Sequence, residues 1–347
     1  MNIRLLSLAA DFALYDTWVK SHPEGTLWQS LEWKKYQEAI GRDIRIYAEF
    51  EGDTIQASAL ISIDRTTGGF STWDCPRGPL FEESGIMNQE LWEKLLHVMI
   101  KDAKKDKCLS LFLSPQQSSV HNSKFIIHNS LRHEQPEATR IINLTLSEED
   151  ILKQMHQKGR YNIKVAQKNT VTVEQSIDIG SYAKLSLETS ARDGFIGASK
   201  KQYEAFLNHL PGSFLMLAYA PRNSKPIAGL LGVIYNKTGV YYYGASDYEH
   251  RALMAPYLLQ WEAMKFCKVN GCTDYDLLGI APENSQFSGH PEPVEGLNSQ
   301  LPHHPWSGIS DFKAKFGGDV VTYPPEQEIV LKPVVRGLLK MKRKMMG

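Results

Sequence analysis

Val240-Tyr241-Tyr242-Tyr243-Gly244-Ala245-Ser246 opens the stretch that decides the fold class. A polar turn carries the chain to Arg251, and Ala255-Pro256-Tyr257 then starts an apolar-periodic run to Phe266. Past Gly271 comes Tyr275-Asp276-Leu277-Leu278-Gly279-Ile280. An aromatic run of the first kind favours an extended strand. Pro256 suits the first turn of a helix, where no backbone donor is needed. Leu258, Leu259, Trp261, Ala263, Met264 and Phe266 make that helix apolar on more than one face, and so buried. Strand, helix and strand in about forty residues form a crossover, which implies parallel strands and a pocket at their ends.

The same order can be read twice. Phe214–Tyr219 and Pro226–Tyr235 precede the stretch as a hairpin across Pro221-Arg222-Asn223-Ser224-Lys225. In the first half, Ile44–Phe50 and Thr54–Ile63 pair across Glu51-Gly52-Asp53, a hairpin turn. Phe70–Trp73, an amphipathic helix over Gln89–Lys105 and a buried strand Cys108–Leu113 follow, ending at Ser114-Pro115. Tyr47-Ala48-Glu49-Phe50 with Ile55-Gln56-Ala57-Ser58-Ala59-Leu60-Ile61 aligns with Leu217-Ala218-Tyr219-Ala220 and Pro226-Ile227-Ala228-Gly229-Leu230-Leu231. The expectation is an α/β (α+β) chain of two tandem domains, each a mixed twisted sheet flanked by helices. Asp11 is expected to cap a helix through Lys20, and Thr26–Ile40 to form a second. The seam falls near residues 143–150, where Ser147 caps a helix with Asp150 three residues on. The loop 284–305 is rich in Ser, Gly, His, Pro and Asn and reads as exposed.

Composition narrows the function classes. The chain has 347 residues, 42% hydrophobic and 22% charged, far from a disordered signature. Its formal charge is zero, so attraction to nucleic acid or anionic lipid has to come from local patches. Cys75, Cys108, Cys267 and Cys272 form no CxxC pair and read as reduced, buried thiols of a cytoplasmic protein. Leu5–Ala10 is cut short by Asp11, too brief for a signal or a span. There is no GxSxG elbow, no HExxH and no clustered set of metal ligands.

Each copy of the duplicated unit looks like the GCN5-related N-acetyltransferase (GNAT) fold. Six motifs in order narrow the likeness: Gln29-Ser30-Leu31-Glu32-Trp33; Lys158-Gly159-Arg160-Tyr161-Asn162-Ile163-Lys164-Val165-Ala166; Arg192-Asp193-Gly194-Phe195; Tyr243-Gly244-Ala245-Ser246 with Ala255-Pro256-Tyr257; Tyr275–Ile280; and Gly308–Gly318. Together they resemble the Fem family (FemABX-like) of aminoacyl-tRNA-dependent transferases, which build peptidoglycan interpeptide bridges. The likeness covers roughly residues 25 to 325 and is to the compact members, without the helical arm. In those members the last residues return to the first domain. The implied domains are therefore 1–144 with about 320–347, and 145–319. The resemblance implies transfer of an amino acid from aminoacyl-tRNA to the side-chain amine of a stem peptide on a UDP- or lipid-linked muropeptide. It implies no cofactor.

It also implies roles for particular residues. Lys313 falls at the family's Phe-Lys position, where a lysine stabilises developing negative charge, with Phe312 beside it. Lys35 matches a lysine that binds precursor phosphates, with Lys34 one residue away; Trp33 lies in the same segment. An arginine with the same task maps onto Ser199, Lys200 or Lys201, with Lys200 chosen. Tyr243 and Tyr257 match pocket positions facing the acceptor. Ser114-Pro115 stands where compact members have an aspartate before proline, which removes a carboxylate base; Asp276 is the alternative carboxylate. Lys158, Arg160 and Lys164 lie in a basic segment, Lys153 to Lys168, able to meet tRNA phosphates. The basic, apolar tail from Lys332 could rest on an anionic membrane or dock as a final helix on the first domain. For each residue the plain alternative is a solvated charge or a core aromatic. Two further readings stay open: acyl-CoA-dependent transfer, disfavoured because Arg251–Pro256 lacks a glycine-rich turn, and a non-catalytic protein that binds cell-wall precursors.

Overall fold

The computed structural model describes residues 2–65, 68–82, 89–117, 125–130, 132, 134–282 and 306–338. The loop 284–305 and the tail beyond residue 338 lie outside them. One compact unit comprises Met1–Gln135 with Tyr323–Gly347, and a second Pro136–Thr322.

The first unit begins with β1 (Asn2–Leu5) and α1 (Ala9–Ser21). Asp11 does not cap α1; Leu8 holds the cap position, and Asp11 sits buried in the first turn, 2.7 Å from Arg4. An acidic first turn still complements the helix dipole. The helix expected from Thr26 is instead a 3-10 turn at Leu27–Gln29 followed by α2 (Leu31–Ala39). Ser30 divides them because its hydroxyl accepts the Trp33 N–H at 3.0 Å, a cap that needs extended backbone at Ser30. Next come β2 (Asp43–Glu51) and β3 (Thr54–Arg65), joined by Gly52 and Asp53 with Gly52 at φ 61°. After β4 (Ser71–Cys75), β5 (Leu80–Phe81), α3 (Gln89–Lys105) and β6 (Cys108–Leu113) comes β7 (His128–Asn129). Trp92, Leu95, Leu96, Met99, Ile100 and Ala103 recur at three- and four-residue spacing, so α3 buries one stripe on the sheet.

The second unit runs β8 (Ala138–Asn143), α4 (Glu148–Gln154), α5 (Gln157–Lys168), β9 (Thr172–Ser176), α6 (Ile179–Asp193), α7 (Lys200–His209), β10 (Ser213–Tyr219), β11 (Pro226–Tyr235), β12 (Thr238–Ser246), α8 (Ala255–Val269), β13 (Asp274–Gly279), α9 (Ser307–Ala314) and β14 (Asp319–Thr322). The chain then returns to the first unit as β15 (Gln327–Val330). Ser147 caps α4 by accepting the Asp150 N–H at 3.1 Å. The basic segment expected as one helix is broken at Met155-His156, because Met155 turns into the core and the His156 ring accepts the Lys158 N–H. The longest helices here, α6 and α8, have 15 residues each and pack on the sheet.

Topology carries the duplication. The first sheet is ordered β1-β2-β3-β4-β6-β15-β7, with β5 beside β3. Read from β9, the second is β9-β10-β11-β12-β13-β8-β14. Every matching pair has the same sense: among the described residues only β4–β6 and β12–β13 are parallel, each joined by one crossover helix. The α/β tandem-unit expectation therefore holds. Its boundaries move: residues 136–144 had been assigned to the first domain and 320–322 placed with it, yet β8 pairs with β13 and β14 in the second sheet. No hydrophobic pattern distinguishes a strand's own sheet from its neighbour in sequence, which is why the seam was misplaced.

Two glycine motifs turn out to be packing requirements. Gly317 and Gly318 sit at φ 75° and 78°, and a Cβ there would lie 2.5 Å from Gln154 O and 2.4 Å from Ile141 O. A Cβ on Gly159 would lie 2.2 Å from Lys315 O. Gly159→Ala should therefore destabilise the second unit by about 2 kcal/mol or more, because backbone blocks it. Urea unfolding would measure this, and a loss below about 0.5 kcal/mol would show that the α5–α9 contact yields easily.

Candidate active site

The two sheets differ where the crossover strands end. In the first unit β4 and β6 stay paired to Cys75 and Leu113, and the Ser114 N–H continues the ladder to Cys75 O at 3.1 Å. In the second, β12 and β13 pair only over Thr238–Val240 and Asp274–Asp276. Beyond them Tyr241 and Leu277 are no longer paired, which leaves a wedge between the strand ends.

Lys313 of α9 fills that wedge. It is 6% exposed, and its Nζ donates to Gly279 O at 2.6 Å and Leu278 O at 3.2 Å. The Tyr241 ring lies 5.7 Å away, within cation–π range. Burial lowers the Lys313 pKa to about 8, against the opposing charge of Asp276. Tyr241 was not singled out in sequence; burial pushes its phenol up to about 12, with Gln260 bonded to it in opposition. Phe312 packs edge-on against Tyr257 at 5.1 Å and Phe316 at 5.2 Å. Tyr257 has its pKa raised by burial and is hydrogen-bonded by Asn162 of α5. Lys313, Phe312 and Tyr257 are thus brought together, and Asn162 joins them unforeseen.

Asp276 is buried at the floor of the wedge. Its Oδ1 accepts the Leu278 N–H at 2.7 Å and the Thr139 hydroxyl of β8. Tyr243 goes elsewhere. A bulge pairs Tyr241 with Gly232 but Tyr243 with Leu231, so the two tyrosines fall on opposite faces. Tyr243 packs against Tyr203 at 5.1 Å and Phe206 at 5.6 Å, on the α7 side.

The remaining sequence candidates are distributed as follows. Trp33 is a core residue between Trp28 and Tyr36. Gln29 of the same motif is fully buried, accepting the Leu60 N–H and donating to Pro76 O. Lys34 pairs with Glu38, whereas Lys35 is exposed with no ion-pair partner among the described residues. Lys200 opens α7 and pairs with Glu204 at 3.5 Å. Arg160 donates to the Leu152, Lys153 and Met155 carbonyls and so caps α4. Lys158 and Lys164 are exposed on α5 with Tyr161 and Lys168, on one stripe of the helix. Ser114 is buried, its hydroxyl 3.4 Å from Glu326, which Arg132 binds with both nitrogens of its fork while also pairing with Asp74. Carboxylates thus surround the position where the family aspartate is missing, though they are already tied to a guanidinium.

A tandem pair of acetyltransferase-like sheets, one with a wedge holding a buried lysine, defines an acyltransferase-like class. The profile of the FemAB family matches residues 13–130, 125–225 and 220–343, and the chain belongs to that family. The crystal structure of FemX superposes with a TM-score of 0.74 at 18% identity, over 96% of this chain and 99% of that one. A tandem GNAT protein from the clavulanic acid biosynthesis pathway gives 0.53 at 10%, over 94% and 98%. The lipid II:glycine glycyltransferase of Staphylococcus saprophyticus is 21% identical over 80% of this chain and 85% of its own length. That of Staphylococcus aureus is 24% identical over 55% and 48%. Among the described residues no helix is long and apolar enough to cross a membrane.

Proposed function

We propose that this enzyme transfers an amino acid onto the side-chain amine of a lipid-linked peptidoglycan precursor, with aminoacyl-tRNA as donor. The single observation that carries the chemistry is the Lys313 ammonium, buried in the wedge at the ends of β12 and β13. The neutral amine attacks the ester carbonyl, the carbonyl oxygen takes up charge, and the ester C–O bond breaks as the ribose oxygen takes, directly or through water, the proton that the amine gives up. An ester is already activated, so positioning and charge stabilisation suffice without a covalent enzyme intermediate. The ammonium, in a site of low dielectric, stabilises that oxyanion more than it would in water. Phe312 and Tyr257 form an apolar flank that excludes water.

Lys35 is assigned to the precursor phosphates, and Lys158 and Lys164 to the tRNA backbone. Arg160 is removed from that role by its place on the α4 carbonyls. Lys168 shares the stripe, and Tyr161 supplies an exposed ring between the lysines. Lys158→Ala and Lys164→Ala should each weaken binding of charged tRNA and reduce the slope of log affinity against log salt by about 0.7 to 0.9. A fluorescence titration at several salt concentrations measures it; unchanged slopes in both variants would remove α5 from the tRNA surface. The tail from Lys332 is proposed to rest on the membrane that carries the lipid-linked acceptor.

Purified protein incubated with charged tRNA and a lipid-linked muropeptide should add one amino-acid mass to the acceptor. The same mixture with acyl-CoA in place of tRNA should give none. The Arg251–Pro256 turn at the head of α8 agrees, with Met254 in the cap position and Pro256 lacking a donor. Transfer from acyl-CoA alone would overturn the donor assignment, and no transfer from either would favour a binding role.

A further inference from the structure

The carbonyls that hold Lys313 belong to consecutive residues, and a regular strand cannot offer that. Successive carbonyls of a strand point to opposite edges. Between Asp276 and Gly279 the register of β13 with β8 shifts, leaving one extra residue, and Leu278 takes φ 60°. That left-handed conformation is unfavourable for a leucine, which gains nothing locally by adopting it. It turns the Leu278 and Gly279 carbonyls onto one nitrogen, at 3.2 and 2.6 Å. Holding the turn in place is the Asp276 side chain, whose Oδ1 takes the Leu278 N–H at 2.7 Å. The same oxygen receives the Thr139 hydroxyl from β8, so the turn is tied to the neighbouring strand as well.

We propose that Asp276 is a positioning residue, which through the Leu278 turn fixes the two carbonyls that aim the Lys313 ammonium into the wedge. This rests on the catalytic reading of Lys313 given above. Of the two roles open to Asp276 from the sequence, alternative carboxylate or structural residue, it takes the structural one. The charge matters in addition to the hydrogen bonds, because Asp276 favours the protonated form of Lys313 against burial. The other titratable groups around Lys313 are the Tyr241 phenol on β12, the buried Tyr275 phenol on β13 and Tyr257 on α8, all with raised pKa values. Arg140 on β8 is held by the Gly317 and Gly318 carbonyls just past α9. None of these changes charge between pH 6 and about 9. Asp311 on α9 and Lys315 at its C-cap flank Lys313 in sequence.

The test is Asp276→Asn in the full-length protein, since an amide keeps the Oδ1 acceptor while it removes the charge and turns Oδ2 into a donor. The Lys313 titration is followed by the 13Cε resonance, assigned by its loss in Lys313→Met. Its midpoint should fall by about half a unit or more. The alkaline limb of kcat should shift by the same amount, so that kcat at pH 7.5 drops about two- to threefold while KM stays nearly constant. Asp276→Glu keeps the charge but misplaces the turn, so kcat should fall with the midpoint nearly unmoved. Thr139→Val, a milder loosening of the same tether, should lower kcat in the same direction by a smaller factor. A Lys313 midpoint and alkaline limb both unmoved in Asp276→Asn would overturn the proposal, as would a loss confined to KM. If Lys313→Met proves fully active, the catalytic reading fails by itself, while the 13Cε titration still decides whether Asp276 governs the ammonium.

Discussion

Lys313→Met should lower kcat for aminoacyl transfer at least about a hundredfold, the usual cost of losing one well-placed oxyanion donor. KM should change little, because the charge it stabilises exists only in the transition state. The protein should remain folded, for a reason the site itself supplies. The Lys313 pKa is lowered from 10.5 to about 8. At neutral pH the fold therefore carries a buried ammonium at a cost on the order of 3 kcal/mol. Methionine removes that cost but leaves the Leu278 and Gly279 carbonyls without their donor, a loss of similar size. The two roughly cancel at pH 7. They do not cancel at higher pH. The unfolded chain holds the proton up to about 10.5 and the folded one only to about 8, so the unfolded state binds more protons in between. Wild-type stability should therefore gain on that of Lys313→Met as pH rises from 8 to 10.5, read from urea midpoints. Activity runs the other way, since the neutral amine cannot stabilise an oxyanion, and wild-type kcat should fall above about pH 8. A flat stability difference together with kcat constant to pH 9.5 would mean that Lys313 is neither perturbed nor engaged.

Much of this site was readable before any coordinates, and its limits have physical causes. Lys313 and Phe312 were singled out because Gly308–Gly318 is a contiguous phrase that resembles the family's, and its Gly317 and Gly318 are required for backbone clearance. The crossover Thr238–Gly279 was legible because Pro256, a helix apolar on several faces and a short apolar strand are all local signals. Tyr243 is expected at the pocket from its match to a family position, yet it lies on the face opposite Tyr241. One bulge opposite Leu231 and Gly232 reverses the face, and nothing in Tyr241-Tyr242-Tyr243 announces it. Leu278 is similarly silent, since a left-handed leucine is imposed by the neighbours of its strand. Arg160 looked like a phosphate ligand by charge alone, and only the break at Met155-His156 shows the helix end it serves. The domain seam failed for a related reason. β8 and β15 both pair far from their sequence neighbours, and strand pairing at long range leaves no local trace.

A large effect on stability is expected at Arg132, a residue that no motif marked. Arg132→Met should destabilise the first unit by about 1 to 3 kcal/mol at pH 7, between the ranges for exposed and buried ion pairs, because Glu326 is buried while Arg132 and Asp74 are half-buried. Its Nε and Nη2 bind the two oxygens of Glu326 at 3.0 and 3.1 Å, while Nη2 also pairs with Asp74 of β4 and the guanidinium covers the Phe112 ring at 3.4 Å. Glu326 is 3% exposed and immediately precedes β15, so this cluster ties the returning end of the chain to β4 and β6. Without the guanidinium, two carboxylates share a partly buried site, and their mutual repulsion favours the protonated form of Asp74. Asp74 already tends that way, because burial raises its pKa even with Arg132 in place. In the variant the Asp74 pKa rises further above its unfolded value, so the folded state binds more protons and loses stability as pH increases. The deficit should accordingly shrink from pH 7 to pH 4.5. Adding Asp74→Asn and Glu326→Gln to Arg132→Met should recover part of the loss and abolish its pH dependence, because amides carry no charge to strand. A loss below about 1 kcal/mol, unchanged with pH, would instead class the cluster with exposed surface bridges. In that case β15 must be held by its ladder to β6 and by Ile329 in the core, and the polar contacts would merely fill the space beside Ser114.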